Sequence, residues 1–317
     1  MINRTMVRTR VLQTLFAYYK DGDKTSLTAK KELLKGFSDT YALYMQMLDF
    51  INVLTNYAEQ QIEEAEQRAK ITHTDYTPNR RFVNNRLAQQ IFNNRTLRSY
   101  LENEKMSWDA GMSGVSAIYK RMQESRFYQE YMSAGTCTYE DDKRVWRKIL
   151  TDLMAGDEAL ESAIEELEIV LDRTNWSIDL DIVLSYVVKT IKRFDEEKGD
   201  EQELLPMFDK EEELNFGKDL LRYALDNHDE YEQMIFAHLK NWDPDRVAYM
   251  DKIILQVAIA EIINFPMIAL EISMNEYIEL AKEYSGEKSY LFINGILNEI
   301  LLELKRNNQL LKAATLK

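Results

Sequence analysis

Residues Ser273–Tyr284 read SMNEYIELAKEY, and after a Ser285-Gly286 break residues Ser289–Leu297 read SYLFINGIL. Both stretches carry a helical pattern. Ile278, Leu280 and Ala281 line the first, and Ile293, Ile296, Leu297, Ile300, Leu301 and Leu304 recur at three- and four-residue spacing along the second, which makes one apolar face on each helix. Ser273 and Glu276 have capping-box spacing, which predicts a helix start at Ser273. Further back, Asp243-Pro244 predicts another start, an N-cap residue before a proline at the first helical position. Ile253, Ile254, Val257 and Ile262 form the apolar stripe of that helix, and Phe265-Pro266 ends it. The dipeptide Asn294-Gly295 inside a helix is less easily explained. A helix-interior glycine costs about 1 kcal/mol against alanine, which predicts close approach of another backbone or of a ligand.

Upstream, the same periodicity predicts a first helix over Asn3–Tyr19, ended by Asp21-Gly22-Asp23. Helical patterns follow from Leu27 to about Lys70, then a break over His73–Pro78. A helical group over Arg81–Tyr131 has a loop near Gly111–Gly114, and Gly135–Tyr139 is a second break. Further helices are predicted over Val145–Met154, Glu158–Asp172, Asp179–Phe194, Glu211–Asn227 and Glu230–Lys240. Asp195–Glu203 is almost wholly polar and mostly acidic, and reads as a solvated linker at a domain boundary. Only 10 Gly and 4 Pro punctuate 317 residues, too few for the tight turns of sheets, so the fold class is all-α.

The 45% hydrophobic content, with 18 Tyr and 12 Phe, is that of a globular chain. The single cysteine, Cys137, supports neither an internal disulfide nor a thiolate metal centre, and reads as a small buried residue in a reducing, cytoplasmic protein. The N-terminus lacks a signal-peptide pattern and no stretch approaches a membrane span. His73, His228 and His238 show no metal-ligand spacing, and neither a GxSxG elbow nor a Gly-rich phosphate loop is present. Carboxylate pairs such as Glu165/Glu166 read as solvated faces. The sequence thus gives no positive sign of an enzyme, a cofactor or a metal.

Net charge is −14, so any nucleic-acid contact must be a local basic face. Two acid-free stretches supply one. The first twenty residues hold Arg4, Arg8, Arg10 and Lys20, with Phe16, Tyr18 and Tyr19 near by. Arg4 and Arg8 lie one helical turn apart on one side. Arginines that bridge phosphates beside aromatic rings that stack on bases are how single-stranded RNA is commonly held. Residues Thr77–Tyr100, TPNRRFVNNRLAQQIFNNRTLRSY, interleave Arg80, Arg81, Arg86, Arg95 and Arg98 with Phe82, Phe92, Asn84, Asn85, Asn93 and Asn94. For both stretches the simpler reading is arginine docked against acidic helices of the same chain.

Three blocks resemble the NusB family: Arg8–Tyr18 (RTRVLQTLFAY), Asn241–Leu255 (NWDPDRVAYMDKIIL) running on to Ile262, and the two stretches quoted first, which parallel the family's NEA[IV]ELAK and KFVNG[VI]L segments. The resemblance covers residues 1 to about 20 and about 205 to 305. It implies a NusB-like helical bundle with a large helical insertion after the first helix: 1–20 the first helix, 21–200 the insertion, 201–317 the remainder. This is similar to enlarged NusB-like chains of the Bacteroidota. The family implies an RNA-binding transcription antitermination factor that takes boxA-type RNA of ribosomal RNA operons. Its partner is NusE, a small-subunit ribosomal protein, within an RNA polymerase antitermination complex, with no catalysis and no cofactor.

Carried over position by position, the resemblance places Arg4, Arg8, Arg10, Phe16, Lys252, Lys288, Phe292 and Asn294 at the RNA, and Phe16 and Asp251 at the protein partner. Met6 and Gln256 stand where the family often has basic residues, Leu291 replaces its lysine, Phe16 replaces a tyrosine, and Lys288 adds a charge. Fewer positive charges on the expected RNA face leave a second reading open, a NusB-like protein-interaction scaffold with weak or no RNA binding of its own. A third, an RNA-modifying enzyme, has no glycine-rich strand–helix turn to support it.

Overall fold

The computed structural model describes residues 1–239 and 247–310. Among them are fourteen α-helices and no strand, only one isolated bridge between Ile2 and Phe208. The Asp243-Pro244 helix start lies outside the described residues. No described helix is long and apolar enough to cross a membrane.

The chain divides into two compact units. One is continuous, Ser38–Met207 with Met1; the other is split, Ile2–Phe37 together with the described residues from Phe208 onward. In the split unit, α1 (Arg4–Lys20) starts at Asn3, whose side chain accepts from the Met6 N–H, an N-cap the chain supplies from its third residue. It packs against α10 (Glu211–Asp226) and α12 (Tyr249–Asn264), and α12 in turn packs with α11 (His228–Ala237), α13 (Leu270–Tyr284) and α14 (Ser289–Arg306). Val7, Val11, Leu12 and Leu15 of α1 are fully buried, as is the run Ile254–Ala260 of α12 but for Gln256 at 4% exposure. Gly217 marks the closest approach of α10: a Cβ there would lie 2.9 Å from Val7 Cγ1 and 3.1 Å from Phe37. A β-branched neighbour cannot give way easily.

The continuous unit takes most of α2 (Ser26–Thr72), a single helix of 47 residues whose first part belongs to the split unit. It then has α3 (Arg86–Asn93), α4 (Arg95–Asn103), α5 (Met112–Glu124), α6 (Arg126–Ser133), α7 (Tyr139–Lys148), α8 (Glu158–Val170) and α9 (Trp176–Arg193). Trp146 and Trp176 are wholly buried there.

Three local expectations change. The break in the Arg81–Tyr131 group falls over 104–108, ahead of Gly111, whereas Gly114 sits inside α5, where a Cβ would lie 2.7 Å from the Ala163 Cβ. Helix α13 begins at Leu270, three residues before the capping-box serine. Both box residues are used elsewhere: Ser273 donates to Glu261, and Glu276 faces Arg8. Cys137 is half-buried rather than buried, and its thiol lies 3.0 Å from Asp142 Oδ1. Burial and that carboxylate hold its pKa above the ordinary thiol value.

Candidate nucleic-acid interface

The acid-free helix α1 is not a uniformly basic face. Arg4 is exposed, with its guanidinium 5.5 Å from the Phe216 ring centre. Arg8, one turn on, is 2% exposed. Its Nε and Nη2 donate to the two oxygens of Glu261 at 2.7 and 2.9 Å, and Nη1 lies 3.3 Å from Glu276. Glu261 accepts further bonds from Ser273 Oγ at 2.6 Å and Tyr277 Oη at 2.8 Å. Burial alone would lower the Arg8 pKa and raise that of Glu261. The bidentate bond and opposite charge reverse both, so both ions stay charged. Arg10 is 5% exposed and donates to Gln13 Oε1 at 2.8 Å. Its stem fills the space where Gly36 lacks a side chain. Two of the three arginines expected at the RNA therefore point inward.

The remaining expected residues gather around the starts of α12 and α14 and the second half of α1. Half-buried Phe16 meets Tyr249 edge-on at 5.7 Å, and exposed Lys20 places its ammonium 4.5 Å over the Phe16 ring. Lys252, one turn after Tyr249, lies 5.3 Å from the Phe236 ring. Asp251 is 5% exposed and so presents little to a partner; its carboxylate accepts from Ser285 Oγ and from Ser289 Oγ at 3.0 Å. It thereby ties the first turn of α12 to that of α14. There Lys288 is exposed and Phe292 and Asn294 are half-buried. Arg4 sits twelve residues before Phe16, about 18 Å along the helix axis.

Gln256 is internal. Its amide donates to Tyr19 Oη and to the Ala224 carbonyl, both at 2.6 Å. The lack of charge at this position is thus not a loss from the surface. Gly295 is exposed, and a Cβ there would meet nothing within 4 Å. No part of the described chain makes the close approach that its helical position predicts. At the end of α1, a hollow of about 420 Å³ is lined by Tyr18, Tyr19, Asp226, His228, Asp229 and Glu230, an aromatic and acidic lining that suits a basic side chain. The sequence reading missed this hollow because its members come from two distant segments.

Residues 181–301 match the family model described as the NusB family. A transcription antitermination protein NusB of Bacillus pumilus is 41% identical over 107 residues, covering 34% of this chain and 75% of the relative. One from Salinibacter ruber is 31% identical over 132 residues, covering 40% of this chain and 82% of the relative. The chain belongs to the NusB family. No solved structure matches it. The family match begins inside α9 of the continuous unit, ahead of the second segment of the split unit, and ends in α14, so it takes in Asp251, Lys252, Lys288, Phe292 and Asn294. The NusB relatives are named for transcription antitermination.

Proposed function

We propose that the split unit is the NusB domain, interrupted by a helical insertion, and that it binds boxA-type single-stranded RNA together with NusE. The observation that carries this reading is the placement of Phe16 and Lys20 of α1 beside Tyr249, whose family-matched segment also carries Lys252, Lys288 and Phe292 at the starts of α12 and α14. Half-exposed aromatic rings offer stacking, the lysines offer phosphate contacts, and the positive ends of the α12 and α14 dipoles add partial positive charge. The exposed backbone at Gly295 leaves room for a ligand or partner to come close. Arg8 and Arg10 serve as the scaffold beneath this face, and Asp251 serves by fixing the start of α14. The acidic hollow beside Tyr18 and Tyr19 supports the partner half of the reading, since it would seat a basic side chain of a ribosomal protein.

The burial of Arg8 and Arg10 favours the second reading, a scaffold with little RNA affinity of its own. One titration separates them. Labelled boxA-type RNA should bind more tightly than a scrambled sequence of equal length, with the preference growing when NusE is added. Equal binding of both RNAs with NusE present would remove the RNA-binding reading and leave the scaffold.

A further inference from the structure

The second acid-free stretch folds as a helix corner in the continuous unit. Asn94 ends α3 and caps α4, accepting from the Leu97 N–H at 3.0 Å. The turn presents a cavity of about 890 Å³ lined by Arg86, Arg95 and Arg98 with Gln89, Asn93 and Ser99. Arg98 lies over the ring of Phe92, which is 50% exposed, at 5.6 Å. An exposed ring with a guanidinium on its face is a stacking platform for a base, and the amides around it can hydrogen-bond base edges.

The opposite wall is the acidic segment expected to be a solvated linker. It forms a tight 3-10 turn, Glu196–Glu201, laid on the arginines. Arg86 Nη1 reaches Glu196 at 2.7 Å, and Arg95 reaches Asp200 at 2.8 Å and Glu201 at 3.2 Å. Glu102 also lines the cavity. The segment does not depend on these ion pairs for its place. Gln90 donates to the Asp195 and Gly199 carbonyls at 2.8 and 2.9 Å, and buried Asn94 donates to the Gln202 carbonyl at 2.7 Å. The arginine pairs are superficial by comparison: the Arg95 side chain is 70% exposed, and pairs of that kind contribute little. A backbone phosphodiester carries the same single charge as each carboxylate, but a strand presents several of them in a row together with a base for Phe92, so it can compete for these weakly held arginines.

We infer that this groove is a second RNA site, in which Arg95 and Arg98 take backbone phosphates, Phe92 beside Arg98 stacks a base, and the Glu196–Glu201 turn competes for Arg95. The choice of RNA over another anion rests on the proposed function, and the exposed ring with its amide surround favours a nucleic acid over an acidic peptide. Oligouridine is the probe, because it reports the groove whether or not boxA is recognised. Arg95→Glu/Arg98→Glu should weaken oligouridine binding about 25-fold at 0.1 M salt and flatten its log–log salt slope by about 1.4, as two lost single-strand phosphate contacts require.

A misfolded variant would also lose binding, so the deciding variant is one that gains it. Glu196→Gln/Asp200→Asn/Glu201→Gln keeps the neutral anchors and should raise affinity about fivefold, the worth of one regained contact. Glu158→Gln/Glu165→Gln/Glu166→Gln on α8 makes the same charge change elsewhere and should have less than half that effect. Equal gains from both triple variants, unchanged binding by the Arg95/Arg98 variant, or full displacement of oligouridine by polyglutamate would each overturn the groove. Loss of boxA preference with these oligouridine results intact would instead sink the proposed function alone.

Discussion

Arg8→Met is expected to destabilise the split unit by about 3–5 kcal/mol while leaving RNA affinity of the folded protein unchanged within about twofold. The size follows from what the substitution leaves behind. Glu261 is fully buried, and without Arg8 its carboxylate keeps only the Ser273 and Tyr277 hydroxyls. A buried charge that loses its partner costs far more than the pair contributed. Arg8→Met/Glu261→Gln removes both charges, keeps an acceptor for one of the two hydroxyls and offers an amide N–H to the other, and should recover most of the loss, with a coupling of about 2–3 kcal/mol in the double-mutant cycle. The pH dependence has a fixed sign. Glu261 is held below its unfolded pKa of about 4.3, so its contribution is complete above that pH and is lost as pH falls through the lower, folded value. Acid unfolding of the double variant should therefore be shallower than that of the wild type. An Arg8→Met protein with unchanged thermal stability and abolished RNA binding would return Arg8 to the RNA face.

Lys252→Glu/Lys288→Glu is the complementary case, with a large effect on RNA and a small one on stability. Lys288 is exposed, and Lys252 contributes one ammonium–ring contact with Phe236. Exposed ion and ring contacts of this kind are worth about 1 kcal/mol or less. Removing two single-strand phosphate contacts should weaken boxA-type RNA about 25-fold at 0.1 M salt and flatten the salt slope by about 1.4, more if the introduced acids repel the strand. Thermal unfolding and a salt-series titration on the same preparation check both halves. Unchanged affinity and slope would move the RNA away from the α12 and α14 starts.

The all-α class and most helix ends were legible because apolar spacing and Pro–Gly punctuation act locally. Asn3, Phe265-Pro266 and Ser285-Gly286 mark helix ends as their chemistry dictates. The misreadings at the capping box, at Arg8 and at the acidic segment share one cause, a polar residue whose partner lies far along the chain. Ser273 and Glu276 fit a capping box, yet a buried arginine 265 or more residues upstream needs Glu276 and shares Glu261 with Ser273. The signal for Arg8 was present: it occupies the apolar stripe it shares with Val11, Leu12 and Leu15, and Glu261 is the one acid in the run Ile253–Ile262. A lone base and a lone acid on two apolar faces point to each other. In the same way the acid-free Arg86–Arg98 run and the acidic 195–203 run, a hundred residues apart, were each readable, while their pairing required the fold.

Photocrosslinking of a short thiouridine-substituted boxA-type RNA in the presence of NusE, with the crosslinked peptides identified by mass spectrometry, locates the RNA on the protein. Adducts are expected on the peptides carrying Phe16, Tyr249 and Phe292, competed by unlabelled boxA and not by scrambled RNA. Adducts confined to residues 38–207, or equal competition by both RNAs, would contradict the proposed RNA face.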